Sequence, residues 1–272
     1  MKRKEYEFSA LVFLRIANYE LRLRMLPIVL HHGLFGFGDF KLGPLQMSYF
    51  RGIDTAIRAR GHRLIVPKVH PTGGIALRAR QLKDVLLQQS NGEKVIIIAH
   101  SMGGLDARHM ITHLGMAHRV DALVTVSTPH RGSPYAGWAL KNVAHRIGLL
   151  QMMKSLHIDS GAFADLTTER CARFNEVTPN RAEVRYYSIS ASRPWTRVPL
   201  WAIHSWRVVN AAEGPNDGLV SITSATWGQH LATWPADHWH TINKRFVLEL
   251  ENKTGDIAPY YLRMLDEVAP TK

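Results

Sequence analysis

The sequence predicts an α/β fold, a mostly parallel central sheet flanked by helices. Three observations predict it. Short apolar runs recur at Pro27–Leu30, Arg63–Val66, Val95–Ile98 and Val120–Val126. Such runs, without alternation, suit strands buried on both faces of a parallel sheet. Segments with helical patterning separate them, as βαβ units require. One run, Val95–Ile98, feeds straight into Ala99-His100-Ser101-Met102-Gly103-Gly104, a sharp turn before a helix-like stretch from Leu105 to Leu114.

Residues 1–25 read as an N-terminal extension. Met1-Lys2-Arg3-Lys4 looks like a signal-peptide start, but the apolar part, Ala10 to Leu14, is broken by Arg15. A secretory core needs about 7–15 apolar residues. The expectation is an amphipathic helix that lies on a membrane surface or packs on the body, unless Met25 is the true start. Residues 26–272 form the main α/β domain. Its first strand, Pro27–Leu30, ends in a glycine-rich loop, His31 to Gly38. A helix follows from Tyr49 to Ala59, then the strand Arg63–Val66. Ile75, Ala79, Leu82 and Leu86 mark one stripe of a helix from Ile75 to Gln89. The strand Val120–Val126 ends in Ser127-Thr128-Pro129-His130-Arg131-Gly132-Ser133.

Tyr135 to Phe174 breaks the rhythm as an insertion of two or three helices. Its Leu149, Leu150, Met152, Met153 and Leu156 make an apolar patch, either a lid face or core. Val184–Ser190 returns to strand. Pro194 to Trp206 reads as a loop whose aromatics need burial, and Ala211 to Val220 as turn chemistry. Ala236-Asp237-His238-Trp239-His240 precedes a closing helix, Thr241 to about Asn252, with another from Ile257 to Val268.

Composition narrows the classes. The 272 residues are 46% hydrophobic, ample for a core, and no apolar run approaches the ~20 residues of a membrane span. The single cysteine, Cys171, excludes an internal disulfide and reads as a small buried hydrophobe. Nothing demands an oxidising compartment, and the reading leans to the cytoplasm. The net charge of +12 favours anionic surfaces. No basic stripe is interleaved with aromatics, so a nucleic-acid partner is not expected.

The turn at Ser101 has the form of a nucleophile elbow, G-x-S-x-G, with Ala99 in the first glycine position. The serine backbone is strained there, and its neighbours two residues either side must be nearly free of side chain. The elbow exposes the Ser101 hydroxyl and aims the Met102 N–H at an oxyanion. Asp217, in Asn216-Asp217-Gly218, and His238 follow in the order Ser, Asp, His. A serine hydroxyl attacks only when a neutral imidazole takes its proton, and a buried carboxylate fixes that imidazole's tautomer. His240 competes with His238 as the base. His100 is expected to point away across its strand as a structural residue. The second oxyanion donor is expected from His32-Gly33-Leu34, as the backbone N–H of Leu34.

These pieces resemble the bacterial triacylglycerol lipases of the α/β-hydrolase fold. The matching motifs are His32-Gly33-Leu34-Phe35-Gly36, His100-Ser101-Met102-Gly103-Gly104, Thr128-Pro129-His130-Arg131-Gly132-Ser133, Asn216-Asp217-Gly218-Leu219-Val220 and Asp237-His238, in family order from about residue 26 to 245. The resemblance implies an α/β-hydrolase domain with a helical cap at about 135–174. It implies a Ser101–Asp217–His238 triad and an oxyanion hole of Leu34 and Met102. It also implies hydrolysis of carboxylic esters through an acyl-enzyme, without a cofactor, on lipid or small-molecule esters. Transient contact with an anionic lipid surface fits the charge. The alternatives are an acyltransferase or thioesterase with the same triad, or a non-catalytic lipid- or partner-binding protein. Secreted members carry a calcium that braces the histidine loop. Here His240 stands where they place an aspartate ligand, so no metal is expected, and Trp239 packing is the expected brace. A zinc site on His238 and His240 would consume the base.

Overall fold

The structure, a computed structural model, describes residues 25–34, 40–42, 45–142, 160–244 and 255–268. The strands are β1 (Ile28–His31), β2 (Phe40–Leu42), β3 (Leu45–Met47), β4 (Leu64–Ile65), β5 (Val95–His100), β6 (Val120–Val126), β7 (Arg185–Ala191) and β8 (Gln229–Trp234). The helices are α1 (Ile53–Ala59), α2 (Ile75–Gln89), α3 (Gly103–His113), α4 (Pro134–Asn142), α5 (Ser160–Asp165), α6 (Thr168–Val177), α7 (Ile203–Glu213), α8 (Ile222–Ala225) and α9 (Ala258–Val268). Six strands form one sheet in the order β4-β1-β5-β6-β7-β8, with every neighbouring pair parallel. β2 and β3 make a separate antiparallel hairpin. This is the α/β-hydrolase architecture, with the helices α4 to α6 inserted between β6 and β7.

Strand alternation divides the core. Ile28, Leu30, Ile96 and Ile98 face α1 and α9, where Ile53, Ile57, Tyr261 and Leu265 meet them. Val29, Ile97, Ala99 and Leu123 face α2 and α3, against Leu82, Leu86, Met110 and Ile111. Successive side chains of one strand enter opposite layers, which explains the unbroken apolar runs. The chain leaves β1 toward β4 on one side, then returns to place β5 on β1's other side. The order therefore reverses between β1 and β5. The crevice beyond the carboxyl ends of such a pair is where open α/β sheets bind ligands.

Several expectations need correction. The helix expected from Tyr49 begins at Ile53, because Gly52 sits in the left-handed region at φ 75° and starts it. The first residues of the helix expected from Thr241 form a 3-10 turn, His240–Ile242, followed by Asn243 at φ 62°. The supposed loop Pro194–Trp206 gives way to α7 at Ile203, and α7 runs on into the expected turn as far as Glu213. Trp195 and Trp201 are not buried but 44% and 54% exposed. The edge strand β8 was not foreseen; it is largely exposed and lacks the apolar run that marked the others. The extension over residues 1–24, the Leu149–Leu156 patch and most of the expected closing helix lie outside the described residues.

Four histidines, His31, His32, His100 and His130, are almost wholly buried at or beyond the carboxyl ends of β1, β5 and β6. Burial lowers the pKa of each, reinforced at His100 by the neighbouring His238 and at His130 by Arg108. His32 falls to about 3. Each therefore holds a proton less readily in the fold than in the unfolded chain, where it is protonated below about pH 6.5. A depressed folded-state pKa means that stability is full above the unfolded pKa and is lost as pH falls below it. Denaturant midpoints should drop as pH falls below about 6.5, because unfolding then takes up protons on this set. A midpoint unchanged down to pH 4.5 would contradict the buried, neutral placement.

Candidate active site

The turn between β5 and α3 is strained. Ser101 sits at φ 55°, a conformation costly for a residue with a Cβ. Its geometry is held by its neighbours. The Ser101 N–H donates to the Val126 carbonyl at 2.9 Å, and the Thr128 hydroxyl donates to the Ser101 carbonyl at 2.7 Å. Close approach demands glycine twice. A Cβ on Gly33 would lie 2.7 Å from the Ser101 Cβ, and one on Gly103 2.8 Å from the His32 carbonyl oxygen. The loop after β1 is thereby pressed onto the elbow.

Asp217 and His238 arrive from connections beyond β7 and β8. His238 Nδ1 donates to Asp217 Oδ2 at 2.8 Å, and His238 Nε2 lies 3.1 Å from Ser101 Oγ. The other Asp217 oxygen accepts the N–H groups of Leu219 and Val220 at 2.9 and 2.7 Å. Asp217 is fully buried. With the proton on Nδ1 taken by the carboxylate, Nε2 is left to accept from the serine hydroxyl. The His238 N–H also donates to the Asp217 carbonyl at 2.8 Å, so acid turn and histidine loop are joined through the main chain. His240 does not compete: both its ring nitrogens are engaged elsewhere. Asp237 faces Arg193 at 3.0 Å.

Ser101 and His238 open into a cavity of about 380 Å³, walled mainly by apolar side chains such as Leu34, Phe163, Leu166, Trp201 and Ile242. Met102 is buried behind it as the N-cap of α3. Lys244 is the one lysine among the described wall residues. Its ammonium lies 4.8 Å above the Tyr49 ring, and burial lowers its pKa.

Known proteins share both sequence and fold with this chain. Residues 80–198 match the PGAP1-like alpha/beta domain. Triacylglycerol lipase 2 of Saccharomyces cerevisiae is 33% identical over 249 residues, covering 83% of this chain and 74% of that protein. The triacylglycerol lipase of Vibrio cholerae is 31% identical, covering 75% of this chain and 74% of its own length. The chain belongs to the triacylglycerol lipase family of α/β-hydrolases. Among solved structures, the metagenomic carboxyl esterase MGS0156 superposes with a TM-score of 0.74 at 20% identity, over 89% of this chain and 75% of that one. The mature Bacillus licheniformis lipase BlEst2 does so at 0.68 and 22% identity, over 90% and 93%. Both share the fold. With its Ser–His–Asp arrangement, this family member is a serine hydrolase.

Within the family frame, three supports were not legible in advance. His100 does not point away. Its ring lies 4.7 Å from that of His238. Its Nδ1 accepts from the Tyr49 hydroxyl at 2.8 Å, which in turn accepts the Gly33 N–H at 3.2 Å. Its Nε2 donates toward Thr241 Oγ1 at 3.0 Å, and that hydroxyl donates to the His238 carbonyl at 2.6 Å. A neutral relay thus ties the loop after β1 to the histidine loop. Second, the Arg78 guanidinium donates to buried Asp106 at 2.8 Å and to the His32 carbonyl at 2.6 Å, which fixes the same loop from below. Third, the Thr128–Ser133 motif bridges elbow and acid turn, since the Ser133 hydroxyl donates to the Leu219 carbonyl at 2.6 Å.

A calcium does not fit this histidine loop. The Asp237 carboxylate already takes the Arg193 guanidinium and the N–H groups of Trp239 and His240. His240 supplies an imidazole, a poor ligand for a hard cation, and it too faces Arg193 at 2.8 Å. Zinc fits no better, because His238 is committed to Asp217 and Ser101. Among the described residues no group of three His, Cys, Asp or Glu is placed to hold a metal. Trp239, the expected brace, is half-buried in the cavity wall, 4.1 Å from the Trp201 ring.

The contact at Gly33 yields a direct test. Gly33→Ala must displace either Ser101 or the loop, and a misplacement near 1 Å costs up to about 100-fold in rate. The kcat on a soluble ester should fall by at least about tenfold. Unchanged kcat would show that the loop does not need this approach.

Proposed function

We propose that this chain hydrolyses carboxylic esters of acyl chains, with Ser101 as nucleophile, His238 as base and Asp217 as its orienting acid. The observation that carries the assignment is the continuous Asp217–His238–Ser101 hydrogen-bonded line opening into an apolar cavity. Ser101 Oγ attacks the ester carbonyl as its proton passes to His238 Nε2. The resulting oxyanion lies between the N–H groups of Met102 and Leu34. His238 then protonates the departing alkoxide, leaving an acyl-serine. Water attacks this ester with His238 again as base, and the carboxylic acid leaves. Relatives named triacylglycerol lipases and the apolar walls favour glyceride-like esters.

Residues 26–272 act as one catalytic domain in this reading, with the insertion at 135–174 as a cap. Tyr135, Ala136, Phe163 and Leu166 of that insertion all line the cavity. Docking on an anionic lipid surface has its own support. Trp195, Leu200 and Trp201 are 44%, 44% and 54% exposed, and Trp201 also lines the cavity. No acidic residue occurs from 184 to 212, a stretch that includes Arg197 and Arg207. Half-exposed tryptophans beside arginines suit a lipid interface. Among the described residues no helix is long and apolar enough to cross a membrane.

Ser101→Ala and His238→Ala should each lower activity by at least about 10⁴-fold with unchanged melting, while His240→Ala should be milder. Serine-variant activity above a few per cent of wild type would sink the assignment. For docking, a Trp195→Ser/Leu200→Ser double variant should lose about tenfold or more in binding to phosphatidylcholine/phosphatidylglycerol vesicles. It should still hydrolyse a soluble short-chain ester. Undiminished vesicle binding would place the lipid contact elsewhere.

A further inference from the structure

We propose that Arg193 is a positioning residue for the catalytic histidine, an internal guanidinium that holds the His238 loop in register with the Asp217 turn. The inference rests on the reading of His238 as base. Arg193 follows β7 and is 7% exposed. Its Nε donates to the Pro235 carbonyl at 3.0 Å. Its Nη1 donates to Asp237 Oδ2 at 3.0 Å and to the Arg197 carbonyl at 3.3 Å. Its Nη2 donates to His240 Nδ1 at 2.8 Å. The guanidinium therefore grips the chain on both sides of His238. Its main chain grips the other partner: the Arg193 N–H donates to the carbonyl of Asn216, next to Asp217, at 3.1 Å.

The surrounding groups are arranged to receive a fixed cation. Asp237 balances the charge, and its second oxygen accepts the N–H groups of Trp239 and His240 at 3.0 and 2.9 Å. His240 can accept from Arg193 only when its proton is on Nε2, and that nitrogen lies 2.7 Å from the Gly255 carbonyl oxygen. The Arg193 carbonyl is itself held by Trp206 Nε1 at 2.8 Å. A planar fork satisfies four separated acceptors at once, which a lysine cannot. Against this loop the chain places a covalently attached cation that cannot dissociate.

The test compares wild type, Arg193→Met, Arg193→Lys and His240→Leu on p-nitrophenyl butyrate, each also after EGTA and after added calcium. Arg193→Met should lower kcat by about 30- to 100-fold with KM within about threefold, because alignment rather than binding is lost. Arg193→Lys restores the charge without the fork and should recover part of that loss. His240→Leu, which removes one acceptor, should cost about three- to tenfold in kcat. If Arg193→Met fails to fold, judged by near-ultraviolet circular dichroism, the Lys and His240 variants decide. Wild-type activity should be indifferent to EGTA and calcium. Three results would each overturn the inference: kcat within twofold of wild type in the decisive variants, Arg193→Lys no better than a folded Arg193→Met, or EGTA inactivation reversed by calcium. Fluorophosphonate labelling of Ser101 separates the two levels. No labelling of wild type would remove the triad reading and this inference with it. Normal labelling with unaffected variants would remove the inference alone.

Discussion

The left-handed turn at Ser101 is the constraint on which the rest depends. A residue with a Cβ at φ 55° persists only where its surroundings over-determine it. Those surroundings are assembled from distant segments: Gly33 from the loop after β1, Val126 and Thr128 from the end of β6, and Gly103 in the first turn of α3. The requirement reaches into the sheet. β5 must have β1 on one side and β6 on the other for these contacts to exist, and that order is the one that reverses the sheet's direction of growth. Fold and nucleophile thus share one geometric cause.

The second feature is how much polar material lies under the site. Arg78 and Asp106 are fully buried together, and His31, His32 and His100 lie alongside the same loop. Burying an ion pair rarely stabilises a fold in net terms, because desolvation offsets the attraction. Three groups of this network nevertheless hold a main-chain atom of a site loop: Arg78 the His32 carbonyl, Tyr49 the Gly33 N–H, Thr241 the His238 carbonyl. The buried network trades stability for fixed loop positions, which charge stabilisation at a transition state requires. The roof is different in kind. Phe163 and Leu166 of the inserted helices, with Trp201, give the cavity an apolar wall that suits an acyl chain.

How much of this was legible follows from the range of each interaction. The strands β1, β5 and β6 were clear because burial on both faces leaves unbroken apolar runs. The Ser101 turn was clear because its steric demand falls on residues within two positions. Asp217 and His238 were placed by their order after Ser101 together with the resemblance, since Asn216-Asp217-Gly218 is an ordinary turn by itself and His238 is one of 15 histidines. What stayed hidden was long-range. β8 is an exposed edge strand with polar residues, so neither alternation nor an apolar run marks it. The start of α1 depends on Gly52's left-handed backbone, and α7 hides behind a Pro- and Trp-rich lead. His100 was misread because strand alternation says which face a side chain takes but not what packs there. The partners that answer this, Tyr49 and Thr241, lie 51 and 141 residues away.

The same reasoning explains why no local pattern could have found Arg193. Its role is defined by acceptors 4 to 47 residues away, two of the four being main-chain carbonyls that any residue supplies. The one signal in the histidine motif was negative: His240 where the resemblance implied a carboxylate. A missing carboxylate says that the cation site has changed without saying what replaced it. Once His240 is neutral and accepting at Nδ1, its partner must be a donor, and beside the Asp237 carboxylate a cationic donor is favoured electrostatically. Among cations, a rigid fork is the one able to span Pro235, Asp237, Arg197 and His240 together. The geometry of these four acceptors therefore calls for an arginine, and only the fold brings them together.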